Sequence, residues 1–204
     1  MQKEIVVLAN SVKHGKHCVA GKCLTTGEWI RPVASAQGEE LTSQQIMVKN
    51  KYGTFPVKPL QKVKMQLDYH APLGNHQPEN YVISGQVWRQ DFKIDASDLK
   101  HLLDYPDSLW GESNRIACDE AKKGYHGNGS LLLVQVTNLR LSTSSGKRRA
   151  SFTYNGTEYD FPVTDPNFDA LHGKIKIHKS AVLTISLGEN FNDYCYKIIA
   201  AIFI

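Results

Sequence analysis

Residues 5–33, IVVLANSVKHGKHCVAGKCLTTGEWIRPV, decide the fold. Ile5-Val6-Val7-Leu8-Ala9 reads as a buried strand, apolar and β-branched. It runs into the polar stretch Asn10-Ser11-Val12-Lys13-His14-Gly15-Lys16-His17. A second β-rich run follows, Cys18-Val19-Ala20-Gly21-Lys22-Cys23-Leu24. Thr25-Thr26-Gly27 is a tight turn, and Glu28-Trp29-Ile30-Arg31-Pro32-Val33 is a third run. Strand, basic polar loop, strand, tight turn, strand is how a small β-barrel begins. The loop gathers cations and hydrogen-bond donors at one rim, which points to an anionic ligand.

Strand signals continue outward from there. Residues 60–69 alternate, with Val63, Met65, Leu67 and Tyr69 on one face, and residues 80–87 resemble them. Pro56, Pro59, Pro72 and Pro78 punctuate the loops between. The middle differs. Residues 96–103 read as a short helix entered through Asp95 or Ser97 and stopped by Pro106. Residues 114–123 read as a second, capped by Ser113 or Asn114 and ended by Gly124. Strands then resume at 130–141, and Asn155-Gly156 marks a hairpin between 150–154 and 158–163. Thr164-Asp165-Pro166 opens a turn, or one helical turn, reaching Leu171. Residues 181–187 and 195–204 finish the chain, joined by Gly188-Glu189-Asn190. The last run is apolar on both faces, as a buried strand is.

The fold class is therefore mostly β: two small OB-like or SH3-like barrels joined by a short helical segment. The expected divisions are residues 1–92, 93–126 and 127–204. A chain of 204 residues is long enough for two such cores. OB barrels commonly bind oligonucleotides on a strand face and its loops.

Composition narrows the setting. Met1-Gln2-Lys3-Glu4 leads into only five apolar residues, not a signal peptide, and no apolar run spans a bilayer, so a cytoplasmic protein is expected. The four cysteines then read as free thiols. Cys18 and Cys23 are not a CxxC pair, and Cys118 and Cys195 lie far away. His14 and His17 beside Cys18 allow a zinc site to be imagined, but strand cysteines and loop histidines are the simpler account. No metal and no cofactor is expected. Asn128-Gly129-Ser130 and Asn155-Gly156-Thr157 match the glycosylation sequon but read more simply as turns. The net charge of +4 is too small to identify a nucleic-acid binder unaided. Clustering says more. Lys13, Lys16, Lys22 and Arg31 fall together, as do Lys58, Lys62 and Lys64. Gly146-Lys147-Arg148-Arg149 sits in a hairpin turn, and Lys174, Lys176, His178 and Lys179 form a fourth group.

Several segments resemble the prokaryotic dual OB-fold domain proteins. These are Ser11-Val12-Lys13-His14-Gly15 through Cys18-Val19-Ala20-Gly21, and Gly27-Glu28-Trp29-Ile30-Arg31-Pro32-Val33. Gln77-Pro78-Glu79-Asn80-Tyr81, Val163-Thr164-Asp165-Pro166, Ser186-Leu187-Gly188-Glu189 and Cys195-Tyr196-Lys197-Ile198-Ile199-Ala200-Ala201-Ile202 complete the pattern. The resemblance implies two OB folds and a nucleic-acid-sensing module of bacterial defence, conflict or nucleotide-modification systems.

Candidate residues follow by chemistry. Lys13-His14-Gly15-Lys16 lacks the G-x-x-x-x-G-K-[ST] spacing of a P-loop, so nucleotide hydrolysis of that kind is excluded. Ser11, Lys13, His14, Lys16 and Arg31, with Lys147, Arg148 and Arg149, are the candidates for holding phosphates. Trp29, Tyr52 and Phe55 are the candidate stacking residues. Trp29 shares a strand face with Arg31, and Tyr52 and Phe55 sit in a Lys-, Gly- and Pro-rich loop. Glu79, Asn80 and Asp165 form a further polar group in specific-looking turns. No D-x-D, H-x-x-x-H or G-x-S-x-G motif accompanies them, so catalysis is not the expected role. The leading expectation is a non-catalytic module binding single-stranded or irregular nucleic acid, DNA or RNA, through basic loops, with an effector protein as a further partner. Two alternatives stay open. One is an adaptor docking an effector enzyme through the barrels and Leu109-Trp110-Gly111; the other is a small-nucleotide sensor or enzyme using Lys13, Arg31 and Glu79.

Overall fold

Strand alternation sends Ile5 and Val7 into one core and Val6 and Leu8 into another, and the fold is assembled around that double burial. The computed structural model describes residues 1–13, 15–127, 129–173 and 177–204. The first sheet contains β1 (Gln2–Lys13), β2 (Lys16–Cys23), β3 (Trp29–Val33), β4 (Met47–Asn50), β5 (Gly53–Pro56), β6 (Gln61–His70), β7 (Asn80–Ile83) and β8 (Trp88–Lys93). Its order is β1-β2-β3-β7-β6-β8-β4-β5, and β6 also pairs with β1. That extra pairing closes a five-stranded barrel, from which β8, β4 and β5 extend. Ile5, Val19, Val63, Leu67 and Trp88 fill it.

A 3₁₀ turn, Ala96–His101, leads to β9 (Arg115–Ala117) and α1 (Cys118–Lys123). The second sheet adds β10 (Leu131–Ser144), β11 (Lys147–Tyr154), β12 (Thr157–Pro162), β13 (His178–Phe191) and β14 (Tyr194–Phe203), with α2 (Phe168–His172) ahead of β13. Its order is β12-β11-β10-β13-β14-β9. The sheet curls until Val163 bridges Ile199, around Phe152, Phe161, Phe168 and Leu183. Asn155 and Gly156, at φ 46° and 82°, make the expected two-residue hairpin turn.

The two sheets are one packed body. Val6 and Leu8 of β1 meet Leu99 and Leu133, and Thr184 donates its hydroxyl to the Leu8 carbonyl at 2.6 Å. Asp104 clamps both halves: its carboxylate accepts from Lys22 Nζ at 2.5 Å, Trp29 Nε1 at 3.0 Å and the Leu133 amide at 2.8 Å.

Four local expectations are corrected. The polar stretch 10–17 is no open loop: Asn10, Ser11, Val12 and Lys13 pair with Val19, Cys18, His17 and Lys16 across a hairpin turning at Gly15. Strand ladders use backbone groups, so polar side chains do not end them. Residues 115–117 are strand, not the first turn of a helix, because Ile116 pairs with Cys195 and buries its side chain. β13 runs through Gly188-Glu189-Asn190 by a bulge and turns only at Asn192-Asp193, both with positive φ. Cys118 and Cys195 form a disulfide, with Cα atoms 5.1 Å apart. A separation of 77 residues hides the proximity that β9 creates.

Lys197 is fully buried in the second core, its ammonium donating to the Gly111 and Ser113 carbonyls at 2.7 and 2.5 Å. Burial pushes its pKa down to about 8. Between about 8 and the ordinary value of 10.5, the unfolded chain holds a proton that the folded chain has released. Stability contributed by Lys197 is therefore lost as pH falls through about 8 and rises again toward 10.5. Urea unfolding at pH 7.5 and 10 should show wild type gaining about 2 kcal/mol relative to Lys197→Met. Equal pH dependence in the two proteins would contradict this.

Candidate nucleic-acid interface

β3 runs parallel to β7 with Arg31 opposite Asn80, and this register turns the Arg31 side chain toward the second barrel. Its guanidinium lies 3.3 Å from the Glu79 carboxylate, donates to Ser130 Oγ at 2.7 Å and reaches Ser186 Oγ at 3.4 Å. Ser130 in turn donates to Glu79. Arg31 and Glu79 keep 12% and 4% of their side-chain exposure, so they form a buried ion pair across the junction. Arg31 is thus spent on joining the barrels. Asn80 is fully buried and donates to Gln77 at 3.1 Å. Asp165, also buried, accepts from the Asn167 and Ile202 amides at 2.8 Å each, tying its loop to β14. Burial raises its pKa against those two bonds.

Beside the ion pair lies a cleft of about 70 Å³ lined by Ser11, Arg31, Gln77, Thr164, Ser186 and Gly188. Each segment that carries the family resemblance contributes a residue here, the last through Ile198 and Ala200. Glu39, Glu40 and Glu189 also line it. Three carboxylates and so small a volume suit neither a polyanion nor a nucleotide.

The other sequence candidates divide. Trp29 is no open platform: its indole bonds Asp104 and the Lys22 ammonium lies 5.4 Å from its ring centroid. Trp110 is buried in the second core, so Leu109-Trp110-Gly111 offers no aromatic docking face. Both His17 ring nitrogens are engaged, with Asn10 at 2.9 Å and Ser43 at 3.4 Å, and burial lowers its pKa. Lys16 is exposed near the hairpin tip. The Lys13 side chain, His14, Lys174 and Lys176 lie outside the described residues. Arg148 pairs with Asp169, and Arg149 with Asp160 at 2.8 Å, leaving Lys147 of that cluster without an ion pair among the described residues.

A different surface gathers unneutralised charge. Register aligns Lys49 of β4, Arg89 of β8 and Lys64 of β6 in one row, with Lys62 opposite Phe92 in the next. The row faces outward, because its neighbours Val48, Trp88 and Val63 are buried. Lys64 bonds Asp91 at 2.5 Å, and that bond raises its pKa. Lys49, Lys62 and Arg89 have no ion pair among the described residues. Tyr52, 77% exposed, tips the β4–β5 hairpin with the Lys51 ammonium 4.8 Å from its ring centroid. Phe55 follows on β5, and Phe92 is 70% exposed. Asn50 donates to Gln90 at 2.8 Å, holding the hairpin onto β8.

Arg89 and Phe92 were not among the sequence candidates. Plain alternation from buried Trp88 would put Phe92 inside, but a bulge between Lys62 and Val63, passing Asp91, reverses the face. Hydrophobic periodicity carries no signal for such a bulge.

A family model for a dual OB-containing domain matches residues 3–202. No curated protein matches the chain. Among solved structures, the tetrameric p202 HIN2 is 11% identical with a TM-score of 0.36, covering 98% of this chain and 92% of that one. A murine DNA-binding protein bound with ds DNA is 9% identical with a TM-score of 0.39, covering 98% and 95%. Likeness at this level says nothing about the ligand of this chain.

Proposed function

This chain belongs to the dual OB-containing domain family, and we propose that it is a non-catalytic module that binds nucleic acid, single-stranded or irregular rather than regular duplex. The observation that carries this is the outward row of Lys49 and Arg89, bordered by the exposed rings of Tyr52 and Phe92. Unpaired cations attract phosphates, and exposed rings reward bases that are free to leave a stack. In a regular duplex those bases are occupied by one another. The family resemblance favours a place in a bacterial defence or nucleotide-modification system, with DNA and RNA both open.

The test is fluorescence anisotropy with labelled single-stranded DNA, single-stranded RNA and duplex, at two salt concentrations. Affinity should fall linearly in log–log with salt and should favour a single strand. Lys49→Glu combined with Arg89→Glu should weaken binding by about tenfold or more at low salt, leaving the melting temperature nearly unchanged. Salt-independent binding, or binding untouched by the double reversal, would remove this surface from the proposal.

A further inference from the structure

We propose that the outer face of the β13–β14 hairpin and β9 is a second nucleotide platform, taking a base on Phe191 and Tyr194 and the adjoining phosphate on Arg115. It rests on the nucleic-acid reading above but on none of the same residues. Phe191 pairs with Tyr194, Tyr194 with Ala117, and Tyr196 with Arg115, so Phe191, Tyr194, Tyr196 and Arg115 project from one face. Cys195 and Ile116, at the intervening positions, are buried on the other. Phe191 is 65% exposed and Tyr194 38%, a large aromatic area left open to solvent.

Arg115 is already oriented. Its guanidinium lies 3.9 Å from the Tyr194 ring centroid and 5.7 Å from that of Tyr196, and Nη1 donates to the Tyr196 hydroxyl at 2.9 Å. Its other N–H donors have no protein partner among the described residues, and no carboxylate there pairs with it. The guanidinium is cationic at any working pH, and the Tyr196 bond fixes its direction. A stacked, exposed arginine with spare donors is arranged for a phosphate oxygen pair, and holding it in place beforehand removes part of the ordering cost of binding. Phe191 meets Tyr196 edge-on, with centroids 6.4 Å apart, which leaves its own ring available to a base.

The mount is firm. The hairpin turns at Asn192-Asp193, the Asp193 amide donates to Asn190 Oδ1 at 2.9 Å, and the Asp193 carbonyl accepts from the Cys118 amide at 2.9 Å. The Cys118–Cys195 disulfide sits directly beneath. Phe191 and Tyr194 lie between the last two runs that the sequence presents as strands, and Arg115 lies in the segment it presents as a helix, which is why their convergence shows only in three dimensions.

Labelled oligo(dT) and oligo(U) titrations with Phe191→Ala, Arg115→Gln and the Lys49→Glu/Arg89→Glu protein test it. Phe191→Ala should raise Kd about fivefold or more with the log–log salt slope unchanged, since stacking releases no counterions. Arg115→Gln should flatten that slope by about 0.7, the share of one phosphate on a single strand. If both bind as wild type does while the β4–β8 double reversal binds weakly, the platform is wrong and the basic face stands. If the wild-type protein binds neither oligomer, both proposals fall together.

Discussion

Replacing Glu79 with alanine lowers the unfolding free energy by about 3–5 kcal/mol, the expected cost of stranding one member of a buried ion pair. Arg31 would keep its contacts to Ser130 and Ser186 but lose the only carboxylate within ion-pair distance of its guanidinium among the described residues, while its side chain stays largely buried. Ser130 would lose its acceptor as well. The paired replacement Arg31→Met with Glu79→Met should cost much less than the single change, because two desolvated charges disappear together. Urea unfolding of wild type, the single and the double variant measures this directly. A single-variant loss under about 1 kcal/mol would mean that the pair is hydrated and weakly coupled. Charge reversal at Arg31 is accordingly a poor probe of ligand binding: it sets a second carboxylate beside Glu79 and opens the junction. Binding probes belong on Lys49 and Arg89, whose loss leaves no buried partner behind.

Removing the Cys118–Cys195 link should cost about 4 kcal/mol at 25 °C, from the chain entropy released by opening a closed loop of this length. The bond joins residues 77 apart, ties α1 to β14 and closes over the β9 pairing. Cys118→Ala with Cys195→Ala should lower the urea midpoint, and wild type under strong reductant should fall to the same value. The double variant should then be indifferent to reductant. A midpoint unmoved by either treatment would show that β9 and α1 dock without covalent help.

What the sequence makes legible is what short-range patterning encodes. Buried β1, the Asn155-Gly156 hairpin and the apolar β14 follow from local rules, and so does the division into two β-rich halves. The end of α1 at Gly124, with φ 75°, follows in the same way. What the sequence does not show lies where register or distant partners decide. Arg31 reads as a surface cation until Glu79, Ser130 and Ser186 are brought around it. Arg148 and Arg149 read as unpaired cations, and their partners Asp169 and Asp160 show only in the structure. Phe92 carries no sequence signal of its exposure, because the bulge at Asp91 that turns it outward is set by pairing with β6. Trp29 has the right face but the wrong environment, since Asp104 arrives from a segment 75 residues away to bond it.

β1 has a final consequence. Ile5 and Val7 belong to the first core, while Val6 and Leu8 pack against Leu99 and Leu133. Cutting the chain between its sheets would strip one side of that strand bare, leaving an N-terminal fragment with a sticky apolar stripe and a C-terminal fragment with a hole where the stripe had been. The two folds are therefore not interchangeable beads on a string. They form a keystone arrangement, in which a recombination event that swaps one half must supply a matching β1 or lose both.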